Sequence, residues 1–160
     1  MINKSLSDEL ISYFERCLSF YESFLELEAN KYNDILNNIL SSIDQHVKDE
    51  QVYMMKAKGL EAERTKLVGQ TEKPNATFKE LIPLLDESVR EQAKQHFESL
   101  SAILLEMKEV NNCCNQLTEI KLRQVQNYLD SLEKQNDQPE TYNKQAQKSK
   151  EPISMVSKKV

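Results

Sequence analysis

Leu6, Leu10, Tyr13, Cys17, Phe20, Phe24 and Leu27 follow one another at alternating spacings of four and three. This places all seven on one stripe of a helix, with the 3.5-residue period of a coiled-coil seam. Continuing the count lands on Lys31 and Asp34, and apolar positions resume in another phase at Tyr32, Leu36, Ile39 and Ile43. With no Gly or Pro nearby, the phase change predicts a tight helix-to-helix turn around Ala29, Asn30 and Lys31. Asn30 would be its pivot, as the residue most tolerant of non-helical dihedrals. A continuous helix with a stutter is the alternative.

The second stripe runs through Val47, Met54, Ala57, Leu60 and Leu67 to Gly69, placed as a helix-ending glycine. Gly59, inside this helix, is a local weakness of roughly 1 kcal/mol relative to Ala. Residues 70–76, with Pro74, read as a loop. Thr77-Phe78-Lys79-Glu80 is a capping box, and Pro83 shortly after it lacks a backbone donor, so 78–82 makes a short helix and a corner.

Ser88-Val89-Arg90-Glu91 repeats the capping box, with Asp86 an alternative cap. The longest stripe follows through Val89, Ala93, Phe97, Leu100, Leu104, Met107, Val110, Cys114, Leu117, Ile120, Val125, Tyr128 and Leu132. The helices expected are therefore about 5–28, 32–69, 78–82 and 86–133. At 1.5 Å per residue the longest would extend on the order of 70 Å and the second about 55 to 60 Å. The fold class expected is all-α, an elongated antiparallel up-and-down bundle of long helices with one short connecting helix. Beyond Leu132 the chain turns rich in Gln, Lys, Asn and Ser, with Pro139 and Pro152. Residues 134–160 are expected to be a flexible basic tail carrying two apolar anchors, Tyr142 and the run from Ile153 to Val156.

Composition agrees with this pattern. The 160 residues include 2 Gly, 4 Pro and no Trp, too little punctuation for a sheet protein; 39% is hydrophobic and 29% charged, which suits long amphipathic helices. The net charge of −5 is unevenly divided: residues 134–160 hold six Lys and three acids, a net of +3, which leaves −8 for residues 1–133. An acidic body argues against nucleic acid as a partner. No stretch approaches the roughly 18 apolar residues of a membrane span. Asp8, Glu9 and Glu15 stand where a signal peptide would be basic and then apolar, so a cytoplasmic protein without stable membrane insertion is expected.

Candidate chemistry is sparse. Cys17, Cys113 and Cys114 have no CxxC or Cys/His spacing and read as small buried hydrophobes. His46 and His96 lack a neighbouring His, Cys or carboxylate at metal or triad spacing, and two isolated glycines make no phosphate loop. An enzyme, a metal site and a cofactor are therefore not expected. The aromatics Tyr13, Phe14, Phe20, Tyr21 and Phe24 read as bundle core. Asn111 falls on the long helix's seam if the count is continued, where an asparagine would fix register or partner, or else mark a solvated kink.

Certain segments carry a family resemblance: Leu27-Glu28-Ala29-Asn30-Lys31-Tyr32 followed by Ile35 and Leu36, then Leu60-Glu61-Ala62-Glu63-Arg64, Asn111-Asn112-Cys113-Cys114-Asn115, and Thr141-Tyr142. Their order along nearly the whole chain resembles the FlgN family of flagellar export chaperones. The resemblance implies a protein that holds the C-terminal amphipathic helices of the hook-filament junction proteins FlgK and FlgL and hands them to the export gate protein FlhA. On that reading Asn111, Cys114, Leu117, Ile120, Val125, Tyr128 and Leu132 line the client groove. Tyr142 is the export-gate contact that the resemblance implies. A monomer or small homo-oligomer is expected; a self-associating coiled-coil adaptor, or a chaperone for another flagellar client, is the alternative.

Overall fold

The computed structural model describes residues 1–137. Among these residues four α-helices follow in order, α1 (Lys4–Leu36), α2 (Leu40–Val68), α3 (Phe78–Leu81) and α4 (Glu87–Asn136), with a 3-10 turn at Ile82–Leu84 between α3 and α4. Among the described residues there is no strand, and the long helices pack on one another as the stripes predict. The chain divides into two compact units, Met1–Lys121 and a second beginning at Leu122.

The first helix does not end at Ala29–Lys31. It runs to Leu36 and closes with a Schellman motif, in which the Ile39 amide donates to the Asp34 carbonyl (2.9 Å) and the Asn38 amide to that of Ile35 (3.2 Å). Asn38 takes the left-handed conformation at φ 57°, so an asparagine is indeed the pivot, but eight positions later than expected. The seam had not broken at residue 31. It had become polar, because Lys31 and Asp34 still face α2, where Lys31 pairs with Glu50 and Asp34 accepts from Ser42 (2.7 Å) and meets His46 Nε2 (2.5 Å). The helix start is set by Asn3, whose Oδ1 accepts from the Leu6 amide at 2.9 Å.

Contacts across the first unit establish direction. Tyr13 donates to the Leu60 carbonyl (2.9 Å), Arg16 binds Glu63 through its two terminal guanidinium nitrogens, and Ser23 meets Tyr53 (2.5 Å), so α1 and α2 are antiparallel. The Asp86 amide donates to Ser7 Oγ (3.0 Å), Gln92 to Glu15 (2.9 Å) and Lys121 Nζ to the Leu36 carbonyl (3.4 Å), so α4 runs parallel to α1. The order is up, down, up.

The apolar core collects where α1 begins. Leu6, Leu10, Tyr13 and Phe14 meet Leu67 and Val68 at the end of α2, Leu81 and Leu85 around the corner, and Ala93 and Leu100 of α4. Phe14 and Phe78 lie 3.9 Å apart by ring centroids and Tyr13 stacks on Phe78 at 6.0 Å, which confirms Tyr13 and Phe14 as core; Phe20 and Phe24 are half-buried and pack on Tyr53. The corner holds its predicted capping box, with Glu80 accepting from the Thr77 amide (2.8 Å) and hydroxyl (2.7 Å). Asp86, not Ser88, precedes the first turn of α4, its carboxylate accepting from the Ser88 amide at 3.0 Å.

Gly69 caps α2 with ordinary helical dihedrals, φ −61° and ψ −18°; a Cβ there would lie 3.0 Å from the Thr65 carbonyl oxygen. A Cβ on Gly59 would meet nothing within 4 Å. Gly59→Ala should therefore raise unfolding stability by about 0.5 to 1 kcal/mol, chiefly by restricting the unfolded chain. Urea denaturation followed by circular dichroism measures it, and an unchanged midpoint would contradict the expectation.

Candidate functional site

Above the apolar core, the last turns of α1 meet α2 and α4 through a different kind of layer. Glu28 is buried, at 4% exposure, and its Oε2 lies 3.0 Å from Lys31 Nζ, which also reaches Glu50 on α2. Burial pushes the Glu28 carboxyl up to about 7, reinforced by the neighbouring Glu50 carboxylate and opposed by Lys31. Burial also works against charge on Lys31 and Glu50, yet hydrogen bonding within the cluster overcomes it, so the ammonium is raised and Glu50 lowered from their ordinary values. From α4 the buried Cys114 thiol donates to the Glu28 carbonyl at 3.8 Å, and burial pushes that thiol up.

One turn further, Asp34 accepts from Ser42 and bonds His46, and these bonds hold its carboxyl below the usual range. Both histidines therefore have carboxylate neighbours that local spacing did not reveal: Asp34 for His46, and Glu15, 3.5 Å away, for His96. Ser42, His46 and Asp34 are no nucleophilic triad, because Ser42 and His46 both bind the aspartate. Among the described residues no group of three or more His, Cys, Asp or Glu could hold a metal ion, and no helix is long and apolar enough to cross a membrane.

The residues expected to line a groove divide between these settings. Four belong to the first unit. Cys114, at 2% exposure, is covered by α1, which corrects its assignment to an open surface: its side chain is already taken up inside the fold. Leu117 is half-buried, while Asn111 and Ile120 are exposed. Asn111 lies beside the seam rather than on it, since Val110, Cys114 and Leu117 are the positions withdrawn from solvent. Cys113 is exposed as well, lining a cleft of about 340 Å³ with Ala29, Tyr32 and Val110, so of the three cysteines only Cys17 and Cys114 are buried hydrophobes.

In the second unit every described residue from Leu122 to Asp137 is exposed. Val125 (51%), Tyr128 (64%) and Leu132 (38%) are all open, and Leu122 and Leu129, absent from the expected set, are equally so. Leu122, Val125, Leu129 and Leu132 repeat the three-four-three spacing of a seam within α4. That signal was legible in the sequence, but a single stripe through Val125 and Tyr128 passes it by. Tyr142 and the Ile153–Val156 run lie outside the described residues, and so does most of the expected tail; α4 itself continues three residues past 133.

Long packed helices, with a seam on the longest that the chain leaves open over Leu122–Leu132, define an all-α protein presenting an apolar helix face. The chain belongs to the FlgN family, whose model, described as FlgN protein, matches residues 1–150, and this makes it a member of a flagellar chaperone family. No curated protein and no solved structure matches it.

Proposed function

We propose that this protein is a cytoplasmic export chaperone that captures the C-terminal amphipathic helices of the flagellar junction proteins FlgK and FlgL, prevents their premature assembly, and passes them to the export gate protein FlhA. The observation that carries the reading is the exposed seam Leu122, Val125, Leu129 and Leu132, with Tyr128 beside it. Membership of the FlgN family supports the kind of occupant. An amphipathic helix supplies the missing half of such a seam, and masking its apolar face keeps it from its assembly partners. Each large apolar side chain buried contributes roughly 1.5 to 3 kcal/mol, so three or four supply about 5 to 12 kcal/mol before ordering costs, with micromolar affinity requiring about 8 net. Asn111, Leu117 and Ile120 of the first unit stay in the proposal as flanking contacts, and Tyr142 as the gate contact.

Calorimetric titration of the full chain with C-terminal fragments of FlgK and FlgL tests it, with saturable one-to-one binding of either as the expected result. No heat with either fragment, or a stable homo-oligomer that ignores both, would replace the chaperone reading with a self-associating adaptor. Tyr142→Ala should leave this binding unchanged and lower FlhA capture and junction-protein secretion; lost client binding would reassign that tyrosine to client recognition.

A further inference from the structure

The layer at Glu28 carries an imbalance that the proposed client binding does not use. Two carboxylates, Glu28 and Glu50, share one ammonium, Lys31, at a site where the three side chains are 5%, 16% and 13% exposed. With all three ionised the cluster carries one uncompensated negative charge. Glu28 shows where it is felt: Oε2 takes Lys31, while Oε1 is buried and no donor reaches it. An uncompensated buried charge beside an acceptor lacking a donor is costly, and one proton relieves both conditions.

We propose that Glu28, Lys31 and Glu50 form a single-proton site within the helix packing of the first unit, whose occupancy sets how firmly α4 is held to α1 around Cys114. The proton comes from solvent and adds to the Glu28 carboxylate. The new O–H donates to the Glu50 carboxylate, and Lys31 then faces a net single negative charge. No other bond forms or breaks. Solvent is close, for Ala29 and Cys113, the sequence neighbours of Glu28 and Cys114, line the open cleft.

The other ionisable groups facing the site come from all three helices. On α1, Asp34 is the next charged seam position; on α2, His46 is bonded to Asp34 and acts on Glu50; on α4, Cys114 sits against the site with Cys113 beside it. Asp34 is held low by Ser42 and His46 and stays ionised near neutrality, while burial holds the Cys114 thiol protonated. Neither can supply the missing positive charge, and His46, the remaining group, is hydrogen-bonded to Asp34. The link to α4 is the Cys114 thiol on the Glu28 carbonyl, and the apolar core contributes little at this level, since Leu100 is its last buried member on α4.

The sign of the effect follows from proton counting. Glu28 titrates near 7 in the fold against 4.5 as the ordinary value, so over that window the native state holds a proton the unfolded chain has released. Its contribution is complete below 4.5 and is lost as the pH rises through about 7.

Carbon-detected NMR of the side-chain carboxyl groups in the full chain tests the site without any substitution. The Glu28 carboxyl should titrate with a midpoint at least one and a half units above the ordinary glutamate value of 4.5; a midpoint near that ordinary value would overturn the site. Amide exchange over residues 110–117, corrected for the intrinsic pH dependence of exchange, tests the coupling. Protection should fall about tenfold between pH 6 and 8 in the natural protein and stay level in Glu28→Gln, which mimics the protonated acid. A purely structural cluster would give no such pH-dependent difference, and equal pH dependence in the two proteins would overturn the coupling to α4.

Discussion

Leu10→Ala should lower the unfolding free energy by about 3 to 5 kcal/mol, the upper part of the range for a buried leucine truncated without local collapse. Leu10 is fully buried in the cluster with Leu6, Leu67, Leu81 and Leu85, contributed by α1, the end of α2 and the corner before α4. Because these walls come from separate elements tied by the capping box at Thr77 and by the Ser7 to Asp86 hydrogen bond, the site cannot close over the void. In a chain whose total stability is on the order of 5 to 15 kcal/mol, such a loss exposes much of the unfolded population. Leu105→Ala, on an exposed position of α4, is the matching control and should stay within about 0.5 kcal/mol of the natural protein. Chemical denaturation of both variants checks the pair, and a Leu10→Ala loss under 1 kcal/mol would mean the core is not the apolar cluster described.

The second large effect is on binding. Val125→Glu with Leu129→Glu should weaken capture of a FlgK or FlgL C-terminal fragment by about a hundredfold or more, since two apolar contacts are lost and two charges would have to enter the interface. Both positions are exposed, so the substitutions bury nothing in the chaperone alone, and glutamate is a good helix former. Far-ultraviolet circular dichroism should therefore be unchanged while the titration heat disappears. Undiminished capture by a folded double variant would remove Leu122–Leu132 from the account and leave the first unit as the place to look.

How far the residues announced these features depends on whether the information is local. The stripe from Leu6 to Leu27 and the Thr77 box rest on contacts within a turn or two and appear where their spacing puts them, while the start of α4 falls to Asp86, the alternative to the Ser88 box. The end of α1 is hidden in the sequence because a charged seam residue reads as a broken seam; Lys31 and Asp34 are tolerated there only because Glu50, Ser42 and His46 return from α2 to meet them. A better local sign was present in Asn37-Asn38 followed by Ile39, the pattern of a left-handed cap with an apolar residue after it. The cover over Cys114 is hidden for a related reason. Periodicity assigns a residue to a stripe, but whether a neighbouring helix covers that stripe depends on where the neighbour ends.

The amino-acid order by itself determined that this is an all-α protein of long amphipathic helices, where most of them start, and which residues could form a core, because helix period, caps and breakers act over a few residues. Only the tertiary structure decided the rest. It placed Cys114 against Glu28, 86 positions away, gathered two carboxylates around Lys31, and left Val125, Tyr128 and Leu132 in solvent. Burial and ion pairing between helices are set by which distant segments share space, and a one-dimensional pattern carries that only through the fold it produces.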